Sequence, residues 1–194
     1  MLGAPALLAA CAAPNPKFAP TEAVQAAVWP NDGPPRISLF SSFNVGSNNG
    51  AHTALLIHAD QVVAFDPAGT FAHETLPERH DVIYGMRPEA RRAFVDYHTR
   101  VTYWTTLQTV DVPMETAMHI LRSAERIGPQ PRSFCTRSTS MLLAQAPGMP
   151  KPVRVTWFPD FLHDQFLDMP GVTRQEFHQT DDADKEKFWE TAVL

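Results

Sequence analysis

Apolar segments separated by short polar turns predict a domain of mixed strands and helices that begins near residue 36. Three segments rich in β-branched and aromatic residues are expected to be strands, at 36–45, 52–57 and 61–66. The second and third are apolar on both faces, which predicts a sheet that is covered on both sides. Further strands are predicted at 82–84, as an edge strand, and at 100–112 and 153–157.

Helical periodicity predicts four helices, over 88–98, 113–127, 133–146 and 160–167. Asp111 is placed to cap the second of them. Its expected buried face consists of Met114, Ala117, Met118, Leu121 and Ala124. Strands and helices of this kind together predict a mixed α/β domain.

Composition limits the function classes. The chain has 194 residues, of which 44% are hydrophobic and 19% charged, and this excludes disorder throughout. A formal net charge of -5 and the absence of any basic run longer than Arg91-Arg92 argue against a nucleic-acid partner. No apolar run reaches the roughly 18 residues of a transmembrane helix.

The amino terminus contains a processing motif. Leu8-Ala9-Ala10-Cys11 resembles the lipobox of bacterial lipoproteins, in which the cysteine is lipidated and becomes the new terminus. We therefore expect a signal peptide at 1–10, incomplete because it is short and lacks Lys and Arg, and a lipidated, Pro- and Ala-rich tether at 11–35. The alternative is a frayed terminus with a chance cysteine. With lipidation, the protein would lie on the periplasmic side of the bacterial envelope, anchored in the outer membrane.

A histidine and an acid are predicted to meet in the first hairpin. If residues 58–60 form a three-residue loop, Ile57 pairs with Gln61, and His52 lies opposite Asp66 on the same face. A two-residue turn would instead place Pro67 opposite His52. In the first case the carboxylate orients the imidazole.

Cys135 is predicted to lie in the first turn of a helix. Unpaired backbone N–H groups and the helix dipole at that position favour a thiolate and could bind a developing oxyanion. The alternative is a buried, inert thiol. Since the chain has two cysteines and Cys11 precedes the folded domain, we expect no disulfide between them.

The order His52, Asp66, then Ser133-Phe134-Cys135 ahead of a helix resembles the circularly permuted NlpC-type papain-like superfamily. The resemblance covers residues 36 to 157. It implies an α+β fold, a papain-like antiparallel sheet packed with helices, for a catalytic domain at 36–170. It also implies Cys135 as nucleophile at a helix N-terminus, His52 as general base and Asp66 as the orienting third member. It does not identify an oxyanion side chain, for which Asn49 is our candidate. Residues 171–194 are expected to be a polar tail or helix.

The expected function is that of an envelope-anchored cysteine hydrolase that cleaves an amide of a peptidoglycan stem peptide through a thioester, without cofactor or metal. A lipid acyltransferase or thioesterase, or a non-catalytic envelope-binding lipoprotein, remain alternatives. The acids and histidines between 73 and 81 lack the spacing of a helical zinc site. Surface or hydrogen-bonded structural roles are expected for His58, His98, His119, His163 and His178, and core positions for Trp104 and Trp157.

Overall fold

The structure is a computed structural model, and it describes residues 18–184, 187–189, 192 and 194. Within these residues the chain forms seven strands and five helices. The strands are β1 (Arg36–Asn44), β2 (Gly50–His58), β3 (Val62–Phe65), β4 (Glu78–Arg79), β5 (Val82–Ile83), β6 (Tyr103–Asp111) and β7 (Thr173–Phe177). The helices are α1 (Thr21–Ala26), α2 (Pro88–His98), α3 (Met114–Ile127), α4 (Cys135–Gln145) and α5 (Pro159–Leu167).

All seven strands belong to one antiparallel sheet with the order β4-β5-β3-β2-β1-β6-β7. The long strands β1 and β2 lie at its centre and are apolar on both faces, as expected of strands that are buried on both sides. The predicted α+β class with an antiparallel sheet is confirmed.

Each face of the sheet is covered by helices. Leu39 and Leu55 point to one side, where they share a core with α3, α4 and α5. Phe40 and Leu56, their neighbours in the strands, point to the other side and pack with Phe94 of α2. This confirms the predicted two-sided burial and means that side chains at even positions of β1 and β2 face α2.

Two predicted strands differ from the structure. Residues 153–157 do not form a strand, because side chains of the neighbouring helices bind their backbone: Gln165 accepts from Arg154 N–H and Ser140 accepts from Thr156 N–H. The segment Val82–Ile83, predicted as an edge strand, is β5, and β4 is the edge strand next to it. A two-residue turn, in which His80 has a φ of 55°, pairs β4 with β5 on its outer side.

The entry to α3 also corrects the prediction. Asp111 is the last residue of β6, paired with Arg36, and Pro113 takes the cap position without a side-chain hydrogen bond. The buried face is rotated towards Thr116 and Ile120, whereas Met114 is 45% exposed. The predicted helix termini at Ile127 and near Cys135 are confirmed.

Both flanking segments contribute to the domain. In the described part of the tether, α1 forms and Pro30 bridges to Gln61. The segment predicted as a polar tail or helix contains β7, which pairs with β6. The signal peptide at 1–10 and Cys11 lie outside the described residues. In the described part of the chain, no helix combines the length and apolarity needed to cross a membrane.

The corrected face of α3 can be tested by stability. Leu121 is 3% exposed, so Leu121→Ala is expected to lower the free energy of unfolding by about 2–4 kcal/mol. Met114→Ala, on the same helix, is expected to change it by less than about 0.5 kcal/mol. Urea unfolding followed by circular dichroism measures both, and equal losses would contradict the described face.

Candidate active site

His52 and Asp66 are brought together by the hairpin of β2 and β3. The observed register pairs Ile57 with Val63, so the predicted pairing with Gln61 is wrong and the loop consists of residues 59–61. The observed loop lies one residue further along the chain than the predicted loop. Each residue of β2 therefore pairs with a β3 residue two positions later than predicted, and because side chains alternate between the faces, it is still on the same face. His52 and Asp66 therefore become diagonal neighbours, and His52 Nε2 lies 2.6 Å from Asp66 Oδ1.

The thiol of Cys135 completes a chain of three side chains. Cys135 is the first residue of α4 and is buried. β3 pairs with β2 only as far as Leu55. Thr53 lies beyond this pairing, and its backbone N–H donates to the sulfur of Cys135. Hydrogen bonding also joins the sulfur to His52, and since Asp66 engages Nε2, the ring nitrogen left for the sulfur is Nδ1.

The N-terminus of α4, at Cys135, has no side-chain cap. Ser133 adopts a left-handed φ of 70°, which turns the chain sharply into α4. Phe134 occupies the cap position and no side chain caps the helix. The first backbone N–H groups of α4, which have no partner within the helix, are therefore not taken up by a capping side chain. Thr53 fixes the helix start to β2 through its hydroxyl, 3.2 Å from that of Thr136.

The charges of this chain stabilise each other. Burial alone would lower the pKa of His52, but the Asp66 carboxylate and the Cys135 thiolate raise the pKa to about 10. Burial alone would raise the pKa of Cys135, yet the hydrogen bond and positive charge of His52 lower it to about 7. Between these two values the pair exists as thiolate and imidazolium, the state in which a cysteine is nucleophilic.

His98 is a second histidine on Asp66, and sequence reasoning gave it only a structural role. It is buried, donates from Nδ1 to the Phe94 carbonyl at 2.8 Å, and places Nε2 3.9 Å from Asp66 Oδ2. Its ring lies parallel to that of His52, with 5.7 Å between centroids. The signal was present in the periodicity, since His98 follows Ala90 and Phe94 at intervals of four on the buried stripe of α2.

The turn after β3 holds the carboxylate in place. Gly69 N–H donates to the Asp66 carbonyl at 3.0 Å, and Asp66 N–H donates to Asp81 O at 2.8 Å. Ala68 adopts a left-handed φ of 60°. A Cβ atom on Gly69 would overlap the carboxylate of Asp66. Only glycine at this position leaves room for the side chain that orients His52.

A small cavity opens beside the two histidines. Its volume is about 200 Å³, and His52, His98 and Tyr103 contribute to its walls. Asn49, the predicted oxyanion residue, is exposed in the β1–β2 turn, where its N–H donates to Ser47 and its carbonyl accepts from Asn44 N–H. An oxyanion role for its side chain stays a prediction.

A metal could be bound here only at the expense of the hydrogen-bonded chain. Within the part of the chain that the structure describes, the group close enough to share an ion is His52, Asp66 and His98, with donor atoms within 4.8 Å of one another. An ion among them would compete with the hydrogen bond between His52 and Asp66. The acids and histidines between 73 and 81 form no such group among the described residues.

No family model, no curated protein and no solved structure matches this chain. Its site is therefore characterised by its own geometry.

The pKa values predict how the thiol reacts. In a Cys11→Ser background, where Cys135 is the remaining thiol, the rate of alkylation by iodoacetamide should rise with pH through about 7, since the thiolate is the reactive form. In His52→Ala the midpoint should rise to or above the roughly 8.5 of a free thiol, because the hydrogen bond and positive charge of His52 are lost while burial remains. A wild-type midpoint near 8.5, or one that His52→Ala leaves unchanged, would contradict the ion pair.

Gly69→Ala tests the support of the carboxylate. Displacement of Asp66 should weaken its hold on the imidazolium, raise the pKa of Cys135 and slow alkylation at pH 6 by about tenfold for each unit of the rise. Gly33→Ala is the matched control, because its added Cβ would meet the Arg36 side chain at 3.8 Å, an ordinary contact. Circular dichroism would verify that both variants fold, and identical profiles for the two would refute this role of Gly69.

Proposed function

We propose that this chain is a cysteine hydrolase of the permuted NlpC-type papain-like kind, anchored in the bacterial envelope through Cys11. The observation that supports it is the continuous hydrogen-bonded chain from the Cys135 sulfur through His52 to Asp66. A buried thiol that only filled space would have no need of an imidazole on its sulfur and a carboxylate behind that imidazole.

The proposed first step forms a thioester. The Cys135 thiolate attacks the carbonyl carbon of an amide, and the carbonyl π electrons move to the oxygen. The backbone N–H groups at the start of α4 donate to this oxyanion. As it collapses, the C–N bond breaks and the imidazolium of His52 gives its proton to the departing nitrogen.

The second step releases the acid. Neutral His52 takes a proton from water as the water attacks the thioester carbonyl. The sulfur leaves as thiolate, so the ion pair of the resting enzyme is restored. Asp66 stabilises the imidazolium in both steps and fixes the ring orientation through Nε2.

His98 acts in this scheme as a positioning residue. Its Nδ1 is bound to the Phe94 carbonyl, so its Nε2 is directed at the second oxygen of Asp66. One carboxylate oxygen thus faces each histidine, and His98 in its protonated form opposes rotation of the carboxylate away from His52.

The substrate class proposed first is an amide of a peptidoglycan stem peptide, since the lipobox would place the domain beside the cell wall. A second candidate, an acyl ester or thioester, is favoured by an aromatic surface next to the nucleophile. Phe134 precedes Cys135 and contacts Trp157 edge to face, with 4.7 Å between centroids. Trp157 is 50% exposed, contrary to its predicted core position, and Phe158 and Phe161 extend the surface. Exposed contiguous apolar surface of this kind suits an acyl chain.

Product analysis distinguishes these candidates. Purified protein is incubated with peptidoglycan fragments in one arm and with phospholipids and an acyl thioester in the other, and products are identified by mass. Cys135→Ala and His52→Ala should each lower kcat/KM by at least about 10³-fold. His119→Ala, on α3, is the control and should retain the activity. Absence of product and of any acylated Cys135 in both arms would refute the hydrolase and favour a binding lipoprotein.

A further inference from the structure

A large groove lies on the α2 face of the sheet, away from Cys135. Its volume is about 1050 Å³. The floor is formed by Ser38 of β1, Leu56 of β2 and Leu107 of β6, and α2 provides one wall. β7 continues the floor with Gln175. We call it the arginine groove after the four arginines that line it: Arg36, Arg91, Arg92 and Arg174.

The charge of the groove differs from that of the whole chain. The described residues that line it include these four arginines and two acids, Glu89 and Asp96, in a chain of net charge -5. Arg92 is paired with Glu89 at 3.3 Å, and Arg174 with Glu176. For Arg36 and Arg91, no carboxylate of the described residues lies within 4.0 Å. The groove thus holds positive charge that its own walls leave unpaired.

His58 shares this groove with the arginines. It lines the groove, is 5% exposed, and its Nδ1 has no hydrogen-bond partner among the described residues. Burial, followed by the charges of Arg36 and Arg91, lowers the pKa of His58 to about 3. Burial and Arg36 also lower the pKa of Arg91, and Asp32 offsets only part of this effect. Arg36 and Arg91 repel each other, and an anion between them would relieve the repulsion.

The rest of the groove contains an apolar strip between polar side chains. Leu56 and Leu107 on the floor and Ala93 on α2 lie along it, and Phe177 of β7 continues this surface. A concave site with apolar walls and a few converging charged groups is the usual form of a small-molecule site, and its volume is at the upper end of the range for such sites. A bare inorganic ion would leave most of this surface exposed to water.

We propose that the arginine groove binds an amphiphilic organic anion, whose carboxylate or phosphate head lies between Arg36 and Arg91 and whose apolar body lies along Leu107. Charge complementarity defines the head, and the apolar strip formed by Leu56, Leu107, Ala93 and Phe177 defines the body. This proposal does not depend on catalysis by Cys135.

Calorimetric titration with decanoate, decyl phosphate and decanol, each below its micelle concentration, tests the proposal on the whole protein. Both anions should bind, and their relative affinities identify the preferred head. Arg36→Gln combined with Arg91→Gln should weaken binding at least about tenfold, since two charge-assisted contacts are lost. Arg122→Gln combined with Arg126→Gln, an equal loss of charge on α3 at the other face, should leave the affinity unchanged.

A second measurement locates the ligand. The imidazole resonances of His58 should shift on titration with the anion that binds best, and those of His119 on α3 should not. Equal binding of decanol, no binding of either anion, or undiminished affinity in the folded double variant of Arg36 and Arg91 would overturn the proposal. Cys135→Ala should bind as the wild type does, so failure of the proposed hydrolase and failure of this groove are separate results.

Discussion

The hydrogen bond between His52 and Asp66 is the interaction on which the candidate site depends. Asp66 is only 3% exposed, and a buried carboxylate is costly unless it is paired and hydrogen-bonded. Its two oxygens are directed at different histidines, and the absence of a Cβ on Gly69 leaves room for them. The same carboxylate keeps His52 protonated, and protonated His52 lowers the pKa of Cys135. Asp66 therefore favours the thiolate form of Cys135 although it acts on the sulfur only through His52.

This dependence also explains where the backbone departs from regular structure. β3 ends at Phe65, which frees the N–H of Thr53 for the sulfur of Cys135. Of the four left-handed non-glycine residues in the described part of the chain, two lie here: Ala68, after the carboxylate, and Ser133, two residues before Cys135. Non-glycine residues in this region cost free energy, and they persist where the surroundings fix them. Here both lie in the turns that deliver Asp66 and Cys135 to β2.

The sequence could predict the pairing of His52 with Asp66 although the predicted register was wrong, because side chains alternate with a period of two and the error was even. It could not predict that His98 reaches the same carboxylate, since the position of α2 along the sheet is a tertiary property. Residues 153–157 have the β-branched composition of a strand, yet Ser140 and Gln165 bind their backbone. Local composition contains no information about partners that are distant in the sequence. For the same reason it predicted a core position for Trp157, which is exposed.

His52 and His58 show how completely the surroundings decide the charge of a histidine. Both lie on β2 and face α2, six residues or roughly 20 Å apart. His58 is buried and His52 is partly buried, and this loss of solvation by itself lowers the pKa of each. At one end of α2 His52 meets Asp66, and its pKa rises to about 10. At the other end His58 lies near Arg36 and Arg91, and its pKa falls to about 3.

Strand β2 thus presents a cationic imidazole, that of His52, to a thiolate and a neutral imidazole, that of His58, to a cationic groove. The neutral form of His58 limits the repulsion in that groove, whereas the charged form of His52 is what activates the sulfur.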